Sequence, residues 1–213
     1  MHFLSSLLEQ YITENSEDEP ALLSSLTRET HLKIVQPRMI TGHYQGRFLS
    51  LLSKIIAPNN ILEIGTYTGY SAICLADGLA SNGTLHTIEI NEELVDIQHR
   101  YFKQSGYENQ IVQHIGDAME VIPKINMVFD LVFIDAEKTN YDAYFEAVLT
   151  KTRAGSIILS DNVLWSGKVI EPLQKSDKAT KSLLDYNKKL KEDSRVETII
   201  LPIRDGLTLS RVL

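Results

Sequence analysis

From residue 60 to the C-terminus, short apolar runs alternate with segments of helical periodicity, and this pattern strongly restricts the possible folds. Runs such as Leu131-Val132-Phe133-Ile134 lack polar alternation, which is typical of strands buried on both faces. Strands separated by helices form a parallel sheet with helices on both sides. We therefore predict an α/β fold with a doubly wound, mostly parallel sheet of seven strands. The predicted strands cover residues 60–65, 84–89, 110–115, 129–135, 156–161, 196–202 and 207–212, and the helices 70–80, 92–105, 118–125, 141–149 and 178–191.

Both ends of the chain depart from this alternation. The last two predicted strands are joined by Ile203-Arg204-Asp205-Gly206, which indicates a β-hairpin. Residues 1–57 are predicted to form a helical N-terminal addition. A chain of 213 residues suits one domain, so we expect residues 1–213 to fold together. The three N-terminal helices are indicated by Phe3, Leu4, Leu7, Leu8 and Tyr11, by Ala21, Leu22, Leu23 and Leu26, and by residues 45–56.

The segment after the first predicted strand, Glu63-Ile64-Gly65-Thr66-Tyr67-Thr68-Gly69-Tyr70-Ser71, is typical of a ligand-binding turn. Gly65 permits a tight turn or a close backbone approach, and Gly69 allows the helix to lie near the strand. The G-x-x-x-G spacing differs from the G-x-G-x-x-G pattern of dinucleotide sites. Because the carboxylate of Glu63 would repel phosphate, the turn favours a cationic or uncharged ligand. S-adenosylmethionine, with its sulfonium and amino groups, fits this description.

An acidic residue ends or follows each of the first five predicted strands, at Glu63, Glu89, Asp117, Asp135 and Asp161. Ligands of doubly wound sheets bind outside the carboxyl ends of the strands, so we expect these residues at one rim. Glu89 has the spacing of an acid that holds ribose hydroxyls, although an acid there also stabilises a helix dipole. Asp117 is expected to cap the next helix, and its loop could contact adenine.

Asp135, Asp161 and Asn162 are candidate metal ligands. Two carboxylates and a carboxamide are hard oxygen donors that suit Mg²⁺, Mn²⁺ or Ca²⁺, and the usual zinc signatures of His and Cys do not accompany them. Spacing alone leaves open the alternative of two turn-forming acids. Lys138 lies one turn beyond Asp135. A nearby divalent cation would favour its neutral amine, which is a general base; otherwise it would be a solvated lysine.

The other chemistry-bearing residues give weaker signals. Trp165, the only tryptophan, could form a wall of a substrate pocket or pack beneath its own loop. The single cysteine, Cys74, lies in a helical pattern and is expected to be a packing residue. Five histidines have no mutual spacing that suggests a site, and we expect them at the surface or core edge: His31, His43, His86, His99 and His114.

Composition and charge limit the class of protein. The charged residues make up 23% and the hydrophobic residues 43%, which is ordinary for a globular protein. The apolar runs are too short to span a bilayer. One cysteine excludes an internal disulfide, and the first residues lack the basic region and cleavage site of a secretory signal, so we expect a cytoplasmic protein. The net charge of −7 gives no overall attraction to nucleic acid or membranes.

Four motifs occur in order along the chain: LEIGTYTGYS at residues 62–71, FIDAEK at 133–138, DNVLWSG at 161–167 and LPIRDGL at 201–207. Together they resemble the motifs of cation-dependent O-methyltransferases of the caffeoyl-CoA and catechol type, and the resemblance covers nearly the whole chain. It implies the class I methyltransferase fold, a Rossmann-like sheet whose last strand is antiparallel. It also implies a homodimer.

The resemblance implies roles for individual residues as well. Asp135, Asp161 and Asn162 would bind Mg²⁺ (or Mn²⁺ or Ca²⁺), and Lys138 would be the catalytic base beside Asp135. The N-terminal addition would form part of the site through Met39. The S-adenosylmethionine contacts would come from Met39, Glu63, Gly65, Ser71, Glu89, Asp117, Ala118 and Asp135.

The sequence leaves two alternatives for the identity of the methyl acceptor. Relatives of this type methylate phenolic small molecules with vicinal hydroxyls, and others methylate 5-hydroxyuridine in tRNA; both offer adjacent oxygens to a metal. The acidic net charge favours the small molecule, whereas seven lysines against three acids in residues 168–191 favour RNA. A non-catalytic S-adenosylmethionine-binding protein and a nicotinamide oxidoreductase are further alternatives. The oxidoreductase is disfavoured by Glu63 and by the missing third glycine.

Overall fold

The computed structural model describes residues 5–213 and contains the predicted seven-stranded sheet with helices around it. The strands are β1 (Asn60–Ile64), β2 (Thr84–Glu89), β3 (Ile111–Ile115), β4 (Leu131–Ile134), β5 (Ile157–Asp161), β6 (Val196–Leu201) and β7 (Leu207–Val212). The helices are α1 (Ser6–Glu14), α2 (Ala21–Lys33), α3 (His43–Ile56), α4 (Tyr70–Ala76), α5 (Val95–Ser105), α6 (Ala118–Val121), α7 (Tyr141–Leu149) and α8 (Lys178–Glu192). Short 3₁₀ segments cover Pro37–Met39, Glu92–Leu94, Ile122–Lys124, Lys138–Asn140 and Trp165–Ile170.

The strand order is β3-β2-β1-β4-β5-β7-β6, and β7 is antiparallel to both of its neighbours. All four residues of the central strand β4 are buried, because helices cover both of its faces. β6 and β7 pair as the predicted hairpin, with Val196 opposite Val212 and Leu201 opposite Leu207. The predicted fold class is therefore confirmed, including the antiparallel last strand.

Two apolar cores lie on opposite sides of the sheet. One core joins the sheet to the N-terminal helices and to α4 and α5, and it includes Leu26, Leu49 and Phe102. The other joins the sheet to α6, α7 and α8, and it includes Phe145 and Tyr186. Because α2 and α3 pack into the first core, the N-terminal addition is attached to the sheet through buried apolar surface.

The first predicted helix is present, and the apolar side chains that indicated it are exposed where the structure describes them. Phe3 and Leu4 lie outside the described residues. Within α1, Leu7 is 78% exposed and Tyr11 is 63% exposed, so their helical spacing does not mark a face packed on the core. The side chain of Ser5 caps the helix by accepting a hydrogen bond from the Leu8 N–H.

The helix predicted over residues 70–80 ends early, at Ala76. Gly78 explains the difference, because a Cβ atom there would lie 2.2 Å from the backbone carbon of Ser53 on α3. The chain therefore turns away where α3 approaches. Among residues 5–213, no helix is long and apolar enough to cross a membrane.

Candidate active site

The carboxyl ends of the parallel strands open onto a cavity of about 1550 Å³. This is the rim at which ligands of doubly wound sheets bind. Almost every site residue predicted from the sequence lines the cavity, together with Trp165. These residues are Met39, Gly65, Ser71, Glu89, Asp117, Ala118, Asp135, Lys138, Asp161 and Asn162. The exception is Glu63.

The turn between β1 and α4 depends on its two glycines. Gly65 has a φ of 97°, and a Cβ atom there would lie 1.9 Å from the carbonyl oxygen of Asp135. The predicted close backbone approach is thus confirmed, and the partner is the end of β4. Gly69 has a φ of 91° and precedes α4, but its missing side chain leaves room for Phe102 on α5. The expected contact with the strand is therefore replaced by a helix–helix contact.

Glu89 is held rigidly at the end of β2. Its Oε2 accepts the Tyr67 N–H at 2.7 Å, and its Oε1 accepts the Asn91 N–H at 2.9 Å. The side chain is 8% exposed and faces the cavity. Each carboxylate oxygen has a further lone pair, so both can accept a hydroxyl of a ligand.

Glu63 lies beneath the cavity instead of on its surface. Its side chain is 0% exposed, and the hydroxyl of Thr87 donates a hydrogen bond to its Oε2. Burial raises the pKa of Glu63 to about 8, and the hydroxyls of Ser71 and Thr87 oppose this rise. Its predicted contact with the cofactor stays a prediction. Ser71, whose hydroxyl acts on the Glu63 carboxyl, does line the cavity.

The loop after β3 places Asp117 and Ala118 at the cavity. Asp117 Oδ1 accepts the Met119 N–H at 2.8 Å, so the predicted helix cap is confirmed. Ala118 is 6% exposed and begins α6. From the N-terminal part of the chain, Met39 also lines this cavity. It ends a 3₁₀ segment and is 55% exposed.

Asp135, Asp161 and Asn162 lie at the ends of β4 and β5 and line the same cavity. Asp161 is 3% exposed, and Asn162 carries the chain out of β5 with a φ of 59°. Burial raises the pKa of Asp161 well above its usual range, and repulsion from the nearby carboxylate of Asp135 adds to this effect. Within the described residues, no group of three or more His, Cys, Asp or Glu side chains is placed to bind a metal. The candidate metal site therefore consists of two carboxyls and one amide.

Lys138 is buried, with an exposure of 8%, so the alternative of a solvated lysine is wrong. Its Nζ donates hydrogen bonds to Asp135 Oδ1 at 3.0 Å and to the Tyr141 hydroxyl at 2.9 Å. The Tyr141 hydroxyl in turn donates to the carbonyl oxygen of Asp161 at 2.8 Å. Tyr141 thus links the lysine to the candidate metal site. The sequence indicates Tyr141 only as the start of a helix.

Trp165 forms part of the cavity wall and also packs against the core beneath it, so the two predicted alternatives are not exclusive. Lys138 Nζ lies 6.0 Å from the centre of a Trp165 ring, and Lys168 Nζ lies 5.8 Å from it. The indole is therefore flanked by two cations. A flat aromatic wall beside Lys138 suits a ligand with a planar ring.

Two long-range contacts attach the N-terminal addition to this rim, and sequence patterns reveal neither. Gln45 on α3 donates from Nε2 to Asp161 Oδ2 at 2.7 Å. Arg204, in the loop of the β6–β7 hairpin, donates from Nη1 to the carbonyl oxygens of Ile40 and Thr41. The segment that carries Met39 is thereby tied to the hairpin.

None of the five histidines within residues 5–213 lines the cavity, but two of them are paired. His86 Nδ1 and His114 Nε2 are 2.9 Å apart on neighbouring strands, with the rings stacked at 5.2 Å. Both rings are half-buried, which agrees with the expected positions at the surface or core edge. Burial lowers the pKa of both rings. His43 Nε2 is bonded to the Glu17 carbonyl oxygen at 2.6 Å, and it does not line the cavity.

Comparison with known proteins agrees with this geometry. The O-methyltransferase family model matches residues 13–213. Caffeoyl-CoA O-methyltransferase 1 of Nicotiana tabacum is 35% identical, over 97% of this chain and 92% of that protein. The caffeoyl-CoA O-methyltransferase of Petroselinum crispum is 34% identical, over 97% of this chain and 91% of that protein.

Solved structures give the same result. The O-methyltransferase from Bacillus cereus in complex with SAH has a TM-score of 0.89 and 30% identity, over 97% of both chains. TomG from Streptomyces achromogenes, an O-methyltransferase involved in tomaymycin synthesis and solved with SAM, has a TM-score of 0.87 and 29% identity, over 97% of this chain and 96% of that one. The chain therefore belongs to the O-methyltransferase family that contains the caffeoyl-CoA O-methyltransferases.

Proposed function

We propose that this protein transfers the methyl group of S-adenosylmethionine to a hydroxyl of a small aromatic molecule with vicinal hydroxyls, of the catechol or caffeoyl type. The observation that carries the proposal is the convergence of Asp135, Lys138, Asp161 and Asn162 on the cavity that Glu89 also lines. The cavity of about 1550 Å³ exceeds the range of about 300–1,000 Å³ usual for one ligand. It can therefore hold a cofactor and a second reactant.

The cofactor would lie across the carboxyl ends of β1, β2 and β3. Glu89 would accept the ribose hydroxyls through its free lone pairs, as its hydrogen bonds to backbone N–H groups allow. The relatives from Bacillus cereus and Streptomyces achromogenes, solved with SAH and SAM, support this cofactor. Through Met39, the addition of residues 1–57 would complete the site of a single domain, 1–213. The other proposed contacts are Glu63, Gly65, Ser71, Asp117, Ala118 and Asp135.

A divalent cation, Mg²⁺ or alternatively Mn²⁺ or Ca²⁺, would be held by Asp135, Asp161 and Asn162. The residues fit such an ion because all three side chains offer oxygen donors. A cation between Asp135 and Asp161 would also offset the repulsion that raises the pKa of Asp161. When bound, the ion would supply positive charge that lowers the pKa of a coordinated substrate hydroxyl.

Lys138 is the proposed general base. Asp135 and Tyr141 hold its Nζ at the cavity. In its neutral form, the amine has a lone pair that would accept the proton of the reacting hydroxyl. The deprotonated oxygen then attacks the methyl carbon in line, and the C–S bond breaks as the O–C bond forms, which releases S-adenosylhomocysteine. Alignment of two bound reactants can contribute about 7–11 kcal/mol to such a reaction.

A methyl-transfer assay with labelled S-adenosylmethionine and Mg²⁺, with and without EDTA, tests this function. Caffeate and catechols are assayed beside undermethylated tRNA that carries 5-hydroxyuridine. We expect EDTA-sensitive label in the small phenols. EDTA-resistant transfer would refute the metal requirement, and label in the tRNA alone would refute the small-molecule acceptor.

Methylation of wobble 5-hydroxyuridine in tRNA is the second candidate, and the lysines of residues 168–191 favour it. Three of them have acidic partners: Lys168 with Asp177, Lys181 with Asp185, and Lys189 with Asp142 and Glu146. Exposed lysines without such a salt bridge in the described structure are Lys175, Lys178, Lys188 and Lys191. These four are available to contact phosphates.

We further infer a homodimer. On the side of the sheet that carries α3, Ile199 on β6 is 57% exposed and pairs with Leu209 on β7. Leu51 and Ile55 on α3 are 56% and 81% exposed on the same side. Apolar surface of this kind favours a protein partner. We expect Ile199→Asp to convert a dimer into monomers in analytical ultracentrifugation, and an unchanged mass would argue against this interface.

A cytoplasmic location is our proposal for this chain. Cys74 is buried and free, and burial raises the pKa of its thiol to about 12, so it resists oxidation and acts as a packing residue. A fold with one unpaired thiol and no disulfide suits a reducing compartment.

A further inference from the structure

Gln45 connects the N-terminal addition to the candidate metal site. The side chain is 0% exposed on α3, although glutamine is mostly a surface residue. Its Nε2 donates to Asp161 Oδ2 at 2.7 Å, across 116 positions of sequence. This contact joins α3 to the end of β5.

The hydrogen bonds to Asp161 fix the orientation of its carboxylate. Oδ1 accepts the Asn162 N–H at 2.7 Å, and Oδ2 accepts the Gln45 amide. Each oxygen thus has one donor and retains a lone pair. Without Gln45, only one of the two oxygens would be held, and the carboxylate could rotate about its Cβ–Cγ bond.

The orientation of the Gln45 amide that lets Nε2 bond Asp161 leaves the amide oxygen without a partner. Gln45 Oε1 is buried and has no hydrogen-bond partner within residues 5–213. Leaving a buried polar atom without a partner is unfavourable. Turning the amide over would place Oε1 against Asp161 Oδ2, where two acceptors repel. The observed orientation therefore serves Asp161.

We propose that Gln45 is a positioning residue that sets the divalent-cation affinity of this site by orienting Asp161; this inference rests on the proposed function. Gln45 does not line the cavity, so it acts through Asp161 and does not touch the reactants. Loss of such a partner of a metal ligand typically lowers metal affinity about 10–100-fold.

The test compares Gln45→Met with a matched control on the same helix. Methionine keeps the length of glutamine but cannot donate. The control is Ser53→Ala, because Ser53 is also buried on α3 and its hydroxyl donates to the Leu75 carbonyl oxygen at 2.6 Å, away from the site. For each protein, Mn²⁺ binding is followed by the electron paramagnetic resonance signal of free Mn²⁺, and S-adenosylhomocysteine binding by calorimetry.

We expect Gln45→Met to raise the Kd for Mn²⁺ about 10–100-fold with the Kd for S-adenosylhomocysteine unchanged within twofold. Ser53→Ala should leave both constants unchanged. The Mg²⁺ concentration for half-maximal methyl transfer should rise in parallel in Gln45→Met, while kcat at saturating Mg²⁺ recovers. Gln45→Asn shortens the side chain by one methylene, which moves the amide away from Asp161, and it should also weaken Mn²⁺ binding. This variant replaces Gln45→Met if the methionine variant does not fold.

Three results would overturn the inference. Wild-type Mn²⁺ affinity in the Gln45 variants would refute the role of Gln45. An equal loss of Mn²⁺ and S-adenosylhomocysteine binding would also refute it. Either result would leave the proposed methyltransferase mechanism standing. A wild-type protein that binds no Mn²⁺ at millimolar concentration would refute the metal site itself, and the inference with it.

Discussion

The substitution Glu63→Gln tests whether this carboxyl group is protonated inside the folded protein. Glu63 is fully buried in β1, and burial raises its pKa from 4.5 to about 8. The folded protein therefore binds this proton more tightly than the unfolded chain does. The contribution of Glu63 to the free energy of unfolding is constant below about pH 4.5. Stability falls as the pH rises from 4.5 to about 8, and Glu63 causes no further change above that.

The size of the effect follows from the same values. One pKa unit corresponds to about 1.4 kcal/mol, so the wild-type protein loses about 5 kcal/mol of stability through Glu63 across this pH range. Glutamine has nearly the shape of a protonated glutamate and does not titrate. We expect the two proteins to be similarly stable at pH 4.5 and the variant to be more stable by about 5 kcal/mol at pH 8.

The assay is urea denaturation of both proteins without cofactor, from pH 4.5 to 8.5 at constant ionic strength. Asp161 titrates in both proteins, so its contribution cancels in the difference between them. Glu92→Gln, the same chemical change on an exposed residue, is the control. A stability difference that stays constant with pH would refute the reasoning, because it would mean that Glu63 is ionised in the folded state throughout.

Two further substitutions test the chemistry. Asp161→Ala should abolish methyl transfer while S-adenosylhomocysteine still binds in calorimetry, because Asp161 is a proposed metal ligand; turnover at the wild-type rate would refute the metal mechanism. Tyr141→Phe removes the hydroxyl that holds Lys138, and loss of a hydrogen bond worth about 1–2 kcal/mol should lower kcat about tenfold with little change in the KM for S-adenosylmethionine. The control is Tyr186→Phe, whose buried hydroxyl bonds Ser160 at 2.7 Å and not Lys138; equal losses in both variants would refute a specific role for Tyr141.

Much of the fold could be predicted from the sequence because its signals are local. The run Leu131–Ile134 has no polar residue, and a strand of that kind is stable only between two layers of helices. The acids at the strand ends follow from the same pattern, because parallel strands direct their carboxyl ends to one rim. Glu89, Asp117, Asp135 and Asp161 accordingly line one cavity.

Local patterns were insufficient where the environment of a side chain depends on distant residues. Glu63 occupies a strand end like the other acids, yet its side chain turns under the cavity, because Thr87 on the neighbouring strand accommodates it there. Leu7 and Tyr11 have the spacing of a buried helix face and are exposed. The periodicity of a helix shows which residues share a face, and it does not show what covers that face.

The sequence by itself determined the type and order of the strands and helices, the glycine turn and the residues at the sheet rim, since each depends on neighbours a few positions apart. Only the tertiary structure decided that Gln45 bonds Asp161, that Tyr141 holds Lys138 against the end of β5, and that Arg204 ties down the segment beside Met39. The physical reason is that a hydrogen bond between distant residues requires both groups to be buried at bonding distance. Chain packing creates that condition, and no periodic pattern records it.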